Sequence, residues 1–203
     1  MTGSSGNYGS PERVRLERYL ELLYAESNRL NLTRIQRADA WTRHVEESLD
    51  LLPLREWTPG ERVLDLGSGG GVPGIPLAIA RPQLAVGLIE RDRAKAAFLL
   101  SCLGQLGLPS VQVLAHDAVE VARGEVFQGA DVLVSRAALP AQGMLRLAGR
   151  LLRVGGEGLV HVGASVTLSA GARAAAERAG VGELRLESSG RSRLLRFVRL
   201  PPA

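Results

Sequence analysis

The chain has 203 residues, which fits one domain, or one domain with a short extension. Cys102 is the only cysteine, so an intramolecular disulfide, a multi-cysteine zinc site and an iron–sulfur cluster are excluded. The net charge is +4 and Lys95 is the only lysine among 25 basic residues, a balance that either permits a polyanionic partner or simply reflects genome composition.

The start of the chain does not look like a targeting segment. Residues 1–10 form a polar Gly/Ser stretch without the basic start or the apolar centre of a signal peptide. No run of 18 apolar residues follows it. We therefore expect a cytoplasmic protein that does not span a membrane, and a monomer without an obligate protein partner.

Two amphipathic helices are predicted in residues 11–58, a helical cap that follows a flexible start at residues 1–10. Ser10-Pro11 is typical of an N-cap and a first helical residue. Asp39 is predicted to cap the second helix, which Pro53 closes. The apolar positions that recur at helical spacing are Leu16, Leu20, Leu23 and Leu30 in the first helix, then Trp41, Val45, Leu49 and Leu52 in the second.

From residue 62 onward, apolar strands alternate with helical stretches. The predicted strands cover residues 63–66, 84–89, 111–115, 132–134, 159–162, 184–186 and 194–198. Helices are predicted over 93–106 and 140–152, and this alternation indicates a parallel sheet with helices on both faces. Residues 188–191 are typical of a hairpin turn, which predicts an antiparallel last strand. The expected fold is α/β and Rossmann-like over residues 59–203, with a mostly parallel seven-stranded sheet.

A glycine-rich loop follows the first strand directly, and two registers of the loop compete. Gly69, Gly71 and Gly74 match G-x-G-x-x-G, the dinucleotide pattern, which is weak by itself. The other register places Asp65 at the strand end, followed by Gly67 two residues later. A carboxylate at that point suits the ammonium group of S-adenosylmethionine and would repel a pyrophosphate, so Asp65 favours the methyl donor.

Acidic residues also follow the next two strands. Glu90 ends the second strand, where a carboxylate can accept both ribose hydroxyls of either cofactor; the alternative is a surface charge. Asp117-Ala118-Val119 follows the third strand and would border the adenine, although a plain capping loop fits nearly as well.

At this point the sequence resembles a known family over residues 16–198. The stretches that carry the resemblance are Asn31-Leu32-Thr33, His44 with Glu47-Ser48-Leu49, residues 63–77, Arg81-Pro82, Lys95 with Phe98-Leu99, and Val134-Ser135-Arg136-Ala137. Together they are similar to the bacterial 16S ribosomal RNA guanine-N7 methyltransferases, also called glucose-inhibited division protein B. The resemblance implies a class I methyltransferase fold, S-adenosylmethionine as donor, and 16S rRNA or a small-subunit precursor as partner.

The resemblance also assigns site residues. It places Gly67 and Val72 in the donor loop, Ala118 and Val119 in the adenine-side loop, and makes Arg136 the arginine of a family motif. With the glycines of the loop, the predicted donor-binding set is Asp65, Gly67, Gly69, Gly71, Val72, Glu90, Ala118, Val119 and Arg136. This chain departs from the family by Glu47 in place of Asp and by Val162 in place of Lys.

Guanine N7 carries a lone pair and no proton, so its methylation needs alignment and no general base. Arg136 is the candidate catalytic residue, holding the substrate through guanine O6 or a phosphate; the alternative is a structural pair with a carboxylate such as Asp65. Asn31, His44 and Ser48 are candidate substrate contacts, and anchoring of the cap to the sheet explains them equally well. No cluster of residues predicts a metal site.

Arginines crowd the last hairpin and the cap, where they form a phosphate-binding rim if both sets face the cleft. They are Arg185, Arg191, Arg193, Arg196 and Arg199 in the hairpin, and Arg29, Arg34, Arg37 and Arg43 around the cap. Alternation along a strand would instead place some of them on the solvated face, which is the usual outcome.

Two other functional classes of protein remain possible from the sequence. A small-molecule methyltransferase would share the donor loop without needing the rim, and an RNA-binding protein without turnover would bind RNA but transfer no methyl group.

Overall fold

The structure is a computed structural model, and it describes residues 10–123, 129–136 and 141–202. The predicted flexible start lies almost wholly outside these ranges. Helix α1 spans Ser10–Leu30 and is followed by a short cap segment. That segment has a 3-10 turn at Arg37–Asp39, a π-helical stretch at Trp41–Glu46 that continues as α2 at Glu47–Leu49, and a 3-10 turn at Leu52–Leu54.

The predicted cap of the second helix is wrong. Asp39 lies inside the Arg37–Asp39 turn, where its amide donates to the carbonyl of Gln36 at 3.0 Å. The next stretch begins at Ala40 without a side-chain cap. An Asp ahead of an apolar stripe is the usual N-cap signal, but here helical backbone already precedes it. The stripe itself is confirmed, since Val45 and Leu49 are buried.

Seven strands form a single sheet in the order β3-β2-β1-β4-β5-β7-β6. The strands are β1 Arg62–Leu66, β2 Ala85–Ile89, β3 Val111–Leu114, β4 Ala130–Arg136, β5 Leu152–His161, β6 Val181–Ser189 and β7 Ser192–Arg199. β1 to β5 pair in parallel, and β7 lies antiparallel between β5 and β6. The predicted parallel sheet with an antiparallel hairpin is confirmed.

Helices connect most of the strands. They are α3 Gly74–Ala80, α4 Arg93–Leu106, α5 Ala118–Val121, α6 Ala141–Leu151 and α7 Ala170–Arg178. The bounds predicted for α4 are confirmed. Sequence reasoning missed α7, because its run of alanines lacks large apolar residues and only Ala175 and Ala176 are buried in it.

The strands bury both faces in two hydrophobic cores. On β1, Val63 faces the core that α1, α3 and α4 share with the cap, whereas Leu64 and Leu66 face the core under α6. Such alternation follows from the two-residue period of a strand. Leu16 and Leu23 of α1 are fully buried in the first core, so the cap packs directly against the sheet.

Candidate active site

The predicted donor-binding residues meet at the carboxyl edge of the sheet. Asp65 stands near the end of β1 and Glu90 directly after β2, while Asp117 follows β3 and Arg136 ends β4. The carboxyl ends of parallel strands meet at one edge, which is where ligands bind in open α/β sheets. Residues far apart in the sequence therefore lie together at one edge of the sheet.

The glycine loop folds back over the end of β2. The amides of Gly67 and Ser68 both donate to the carbonyl of Ile89, each at 3.0 Å. Gly67, Gly69 and Gly71 have φ values of 72°, 56° and 96°, a region that disfavours side chains. A Cβ on Gly71 would also collide with Ile75. The loop conformation thus depends on these glycines.

Asp65 presents a buried carboxylate oxygen without a protein partner. Its side chain is fully buried, and Oδ2 accepts the amide of Gly74 at 3.0 Å. Oδ1 has no hydrogen-bond partner in the described part of the chain. Burial raises the pKa of this carboxyl to about 7. A buried acceptor without a partner is costly, and an ammonium group of a ligand would satisfy it.

The Glu90 carboxylate joins the glycine loop to the turn after β2. Oε2 accepts the amide of Gly69 and Oε1 accepts the amide of Asp92, both at 2.8 Å. The residue is only 8% exposed, so the surface-charge interpretation is wrong. Each carboxylate oxygen has two lone pairs, which leaves acceptor capacity for ribose hydroxyls.

The loop after β3 combines a cap and an exposed apolar residue. Asp117 caps α5 by accepting the amide of Val119 at 2.8 Å. Val119 is 42% exposed at the carboxyl edge, and Ala118 is half-buried beside it. The capping-loop interpretation is therefore correct for Asp117, while Ala118 and Val119 provide the apolar surface expected next to an adenine.

Arg136 extends from the end of β4 into the cap. Its Nη1 donates to the carbonyl of Arg43, its Nη2 bonds Nδ1 of His44 at 3.0 Å, and Glu47 lies 4.0 Å away. The carboxylate that pairs with Arg136 is thus Glu47 and not Asp65, the partner suggested for a structural role. Burial lowers the pKa of the Arg136 guanidinium, whose side chain is 22% exposed.

The contacts of His44 define its tautomer. A guanidinium can only donate, so Nδ1 accepts from Arg136 and the ring proton is on Nε2, 3.1 Å from Oγ1 of Thr33. Burial, and then the charge of Arg136, lower the pKa of His44 to about 4. His44 is therefore neutral at physiological pH and anchors the Thr33 turn to β4.

The other two predicted substrate contacts differ from each other. Ser48 is buried and donates to the carbonyl of His44, one turn earlier in the same helical stretch, at 2.6 Å, so this bond does not tie the cap to the sheet. Asn31 is exposed directly after α1, with a φ of 50° that asparagine tolerates at helix ends. Its side chain lies in solvent at the rim of the cap.

Sequence reasoning missed two residues that support the donor loop. Tyr19, fully buried in α1, donates its hydroxyl to the carbonyl of Gly70 at 2.8 Å. Ser135 donates to the carbonyl of Leu66 at 2.7 Å, which ties β4 to the start of the loop. Tyr19 lies within the apolar stripe of α1, so its sequence position indicates only a core residue.

Strand register separates the arginines of the predicted rim. His161 ends β5 at the carboxyl edge and pairs with Leu194, so Arg191 and Arg193 lie at that edge. Arg196 pairs with Leu159 in mid-strand, where Glu157 and Glu187 lie within 2.9 and 3.7 Å of its guanidinium. Arg185 pairs with Arg196, and Arg199 lies at the opposite edge beside Val181. The hairpin arginines therefore do not form one continuous rim, because an eight-residue strand crosses the whole sheet.

Around the cap, most arginines already have partners. Arg29 pairs with Glu26 at 2.5 Å, Arg43 pairs with Glu47 at 3.1 Å, and Arg37 stacks on the ring of Tyr24. Within residues 10–123, 129–136 and 141–202, no group of three or more His, Cys, Asp or Glu residues is placed to hold a metal ion. None of the helices in those ranges is long and apolar enough to cross a membrane.

Comparisons with known proteins agree with this geometry. The sequence profile of the GidB family, described as rRNA small subunit methyltransferase G, matches residues 12–184. The chain belongs to this family. Two relatives named ribosomal RNA small subunit methyltransferase G, from Sorangium cellulosum (strain So ce56) and Ralstonia nicotianae, are 44% and 43% identical over 126 and 156 residues. These matches cover 61% and 71% of this GidB-family chain.

The matched segment spans 53% of the Sorangium relative and 68% of the Ralstonia relative. The chain thus spans about half the length of the Sorangium relative.

Solved structures identify the fold. The S-adenosylmethionine-dependent methyltransferase SibL superposes with a TM-score of 0.62 at 18% identity, covering 92% of this chain and 70% of SibL. The antibiotic-resistance methyltransferase Kmr gives 0.55 at 21% identity, covering 72% and 95%. The fold is that of class I S-adenosylmethionine-dependent methyltransferases, as predicted. The antiparallel β7 between β5 and β6 also differs from the dinucleotide-binding strand order.

Proposed function

We propose that this GidB-family chain transfers a methyl group from S-adenosylmethionine to N7 of a guanine in 16S rRNA. The observation that carries the donor assignment is the buried Oδ1 of Asp65, which lacks a protein partner beside the glycine loop. The RNA substrate follows from the family to which the chain belongs. Guanine N7 as the acceptor atom rests on the resemblance of the motifs.

Each residue at the carboxyl edge would bind a different part of S-adenosylmethionine. Asp65 would bind the ammonium group, and Glu90 would accept the ribose hydroxyls while it holds the loop. Ala118 and Val119 would contact the adenine. The other residues proposed for the donor loop, whose backbone would come close to the ligand, are Gly67, Gly69, Gly71 and Val72. The donor supplies a methyl group on a positively charged sulfur.

Methylation of guanine N7 requires the protein to align the nitrogen with the methyl group and the sulfur. As N7 bonds to the methyl carbon, the carbon–sulfur bond breaks and its electron pair stays on the sulfur, so no proton moves. The nearby imidazole of His44 is already engaged on both nitrogens, which agrees with a mechanism that lacks a general base. Arg136 uses two of its five N–H groups on the cap, and the others can hold guanine O6 or a phosphate.

The proposed function is tested by mapping the modification. The chain would be expressed in a bacterial strain that lacks its own small-subunit guanine-N7 methyltransferase, and 16S rRNA would be analysed by primer extension and mass spectrometry. We expect one restored N7-methylguanine. Methylation of a small molecule alone, or RNA binding without methyl transfer, would identify one of the two other classes. Calorimetry with S-adenosylmethionine and NAD tests the donor separately, and binding of NAD alone would refute it.

Replacing Glu90 should weaken donor binding. We expect Glu90→Ala to reduce affinity for S-adenosylmethionine by about 1.5–3 kcal/mol, the range for hydrogen bonds to a charged group, which is about tenfold or more. Calorimetry measures the change. Glu90→Gln is the matched control, because its amide oxygen keeps one acceptor for the Gly69 amide and it should bind better than the alanine variant. Wild-type affinity in a folded Glu90→Ala variant would exclude Glu90 from donor binding.

RNA affinity should depend on the arginines at the carboxyl edge and not on Arg196. We expect Arg191→Ala and Arg193→Ala each to flatten the log–log salt dependence of rRNA binding by about 0.7–0.9, the value for one phosphate contact. Arg191 lies 3.6 Å from Glu46, but both side chains are exposed, so solvent screens this pair and the guanidinium stays available. Arg196→Ala should leave the slope unchanged, because Glu157 and Glu187 already neutralise that guanidinium. Filter binding over a salt series checks this, and equal slopes for all three variants would contradict it.

A further inference from the structure

An arginine-lined groove opens at the amino edge of the sheet, on the opposite edge from the donor site. It has a volume of about 730 Å³ and lies where β4 and β5 begin and the antiparallel β7 ends. The basic residues that line it are Arg123, Arg150, Arg153 and Arg199. None of the other described lining residues is acidic, so the arginines define the charge of the groove.

Only one of these four arginines is paired with a carboxylate in the described part of the chain. Arg153 bonds Asp131 at 2.6 Å, whereas Arg199 donates to the carbonyl of Gly180 at 2.7 Å, which leaves its charge in place. Arg123 and Arg150 are exposed, and their side chains have no ion pair or hydrogen-bond partner within residues 10–123, 129–136 and 141–202. The described lining residues therefore give the groove a net positive charge, with two guanidinium groups available.

Such a groove fits phosphate. The planar guanidinium offers two parallel N–H donors that match phosphate oxygens, and several arginines in one concave surface hold successive phosphates of a chain. We propose that this groove binds the phosphate backbone of the substrate RNA away from the guanine that is methylated. This inference rests on the proposed function and extends it to a second contact surface.

The position of the groove sets a requirement on the substrate. β4 is seven residues long and runs from Ala130 at the groove edge to Arg136 at the donor edge. At the rise of a strand, the two edges are therefore about 20 Å apart. One RNA must therefore pass around the sheet to reach both edges. The substrate class is a folded RNA or a ribosomal particle, because a nucleotide bound at Arg136 cannot extend to Arg150.

The test uses a double variant of the two unpaired arginines. Arg123→Gln combined with Arg150→Gln should flatten the salt dependence of binding to full-length small-subunit rRNA by about 1.4–1.8 in log–log terms, the value for two contacts. Affinity for S-adenosylmethionine should not change. Arg15→Gln combined with Arg173→Gln is the matched control, since both residues are exposed on α1 and α7 outside the groove and remove the same charge. The control should keep the wild-type slope.

The outcomes separate this inference from the proposed function. A wild-type slope in the groove variant, or an equal loss in the control variant, would overturn the groove as an RNA contact. If the groove variant lost binding to an acidic protein while the salt dependence of its rRNA binding stayed unchanged, the groove would be a protein-binding surface and the RNA proposal would be overturned. A wild-type chain that binds S-adenosylmethionine but neither binds nor methylates rRNA would overturn the proposed function itself.

Discussion

Asp65→Asn should nearly abolish donor binding while the protein stays folded. Losing one partner of a buried charge pair costs about 2–5 kcal/mol, so affinity for S-adenosylmethionine should fall about thirtyfold or more. Asparagine keeps an oxygen for the Gly74 amide, so the loop has no reason to open. Calorimetry measures the affinity, and thermal unfolding reports the fold.

The pH dependence of donor binding shows whether the negative charge of Asp65, and not only the shape of its side chain, is needed to bind the donor. The pKa of Asp65 is about 7 in the folded chain against an ordinary value of 3.8, so the carboxyl is protonated below about pH 7. Donor affinity should therefore fall as pH decreases below 7, by up to about tenfold per unit, and the Asp65→Asn variant should lose this dependence. A flat wild-type profile between pH 5 and pH 7 would contradict the ammonium assignment.

The raised pKa of Asp65 also predicts how the Asp65→Asn change affects the stability of the fold at different pH values. A carboxyl whose folded pKa is raised binds its proton more tightly when folded, so its contribution is present below pH 3.8 and is lost as pH rises through about 7. At pH 8 the Asp65→Asn variant should thus be at least as stable as the wild type. A large loss of stability at that pH would show that the carboxylate supports the fold and would explain lost binding without a ligand contact.

Arg136→Ala should slow methyl transfer strongly with little change in donor affinity. Removing a side chain that positions the substrate costs about a hundredfold in rate. The change also leaves Nδ1 of His44 and the carbonyl of Arg43 without their donor, which should lower the free energy of unfolding by about 1–3 kcal/mol. Single-turnover transfer to rRNA and thermal unfolding measure the two effects.

His44→Phe separates the two functions that Arg136 could have. This variant removes the His44 part of the link between β4 and the cap but keeps the guanidinium and its bond to the Arg43 carbonyl. If Arg136 holds the substrate, Arg136→Ala should reduce transfer far more than His44→Phe at a comparable loss of stability. Parallel losses in the two variants, or an Arg136→Ala variant that cannot bind the donor, would make Arg136 an anchor of the cap and would refute its substrate role.

The sequence predicted the features that local chemistry determines. The strand–loop pattern from Val63 through the glycines, and the helix at 93–106, follow from hydrophobic period and turn chemistry, and both are confirmed. Asp65 and Glu90 were predicted to end successive strands, and because those strands are parallel, both residues lie at one edge of the sheet. Such signals are contained within a few neighbouring residues.

Contacts between distant residues could not be predicted in this way. Tyr19 and Gly70 are 51 positions apart and Arg136 and His44 are 92 apart, so only the packing of the cap on the sheet brings them together. The charge pairs of Arg196 likewise depend on the register of three strands.

The sequence by itself determined the fold class, the glycine loop and the family of this protein, because those depend on local period, glycines and contiguous motifs. The tertiary structure alone decided that Asp65 keeps an unpartnered buried oxygen, that His44 is neutral, and which arginines remain available. Burial and pairing are properties of the packed chain: the pKa of a carboxyl and the free charge of an arginine change with what the fold places beside them.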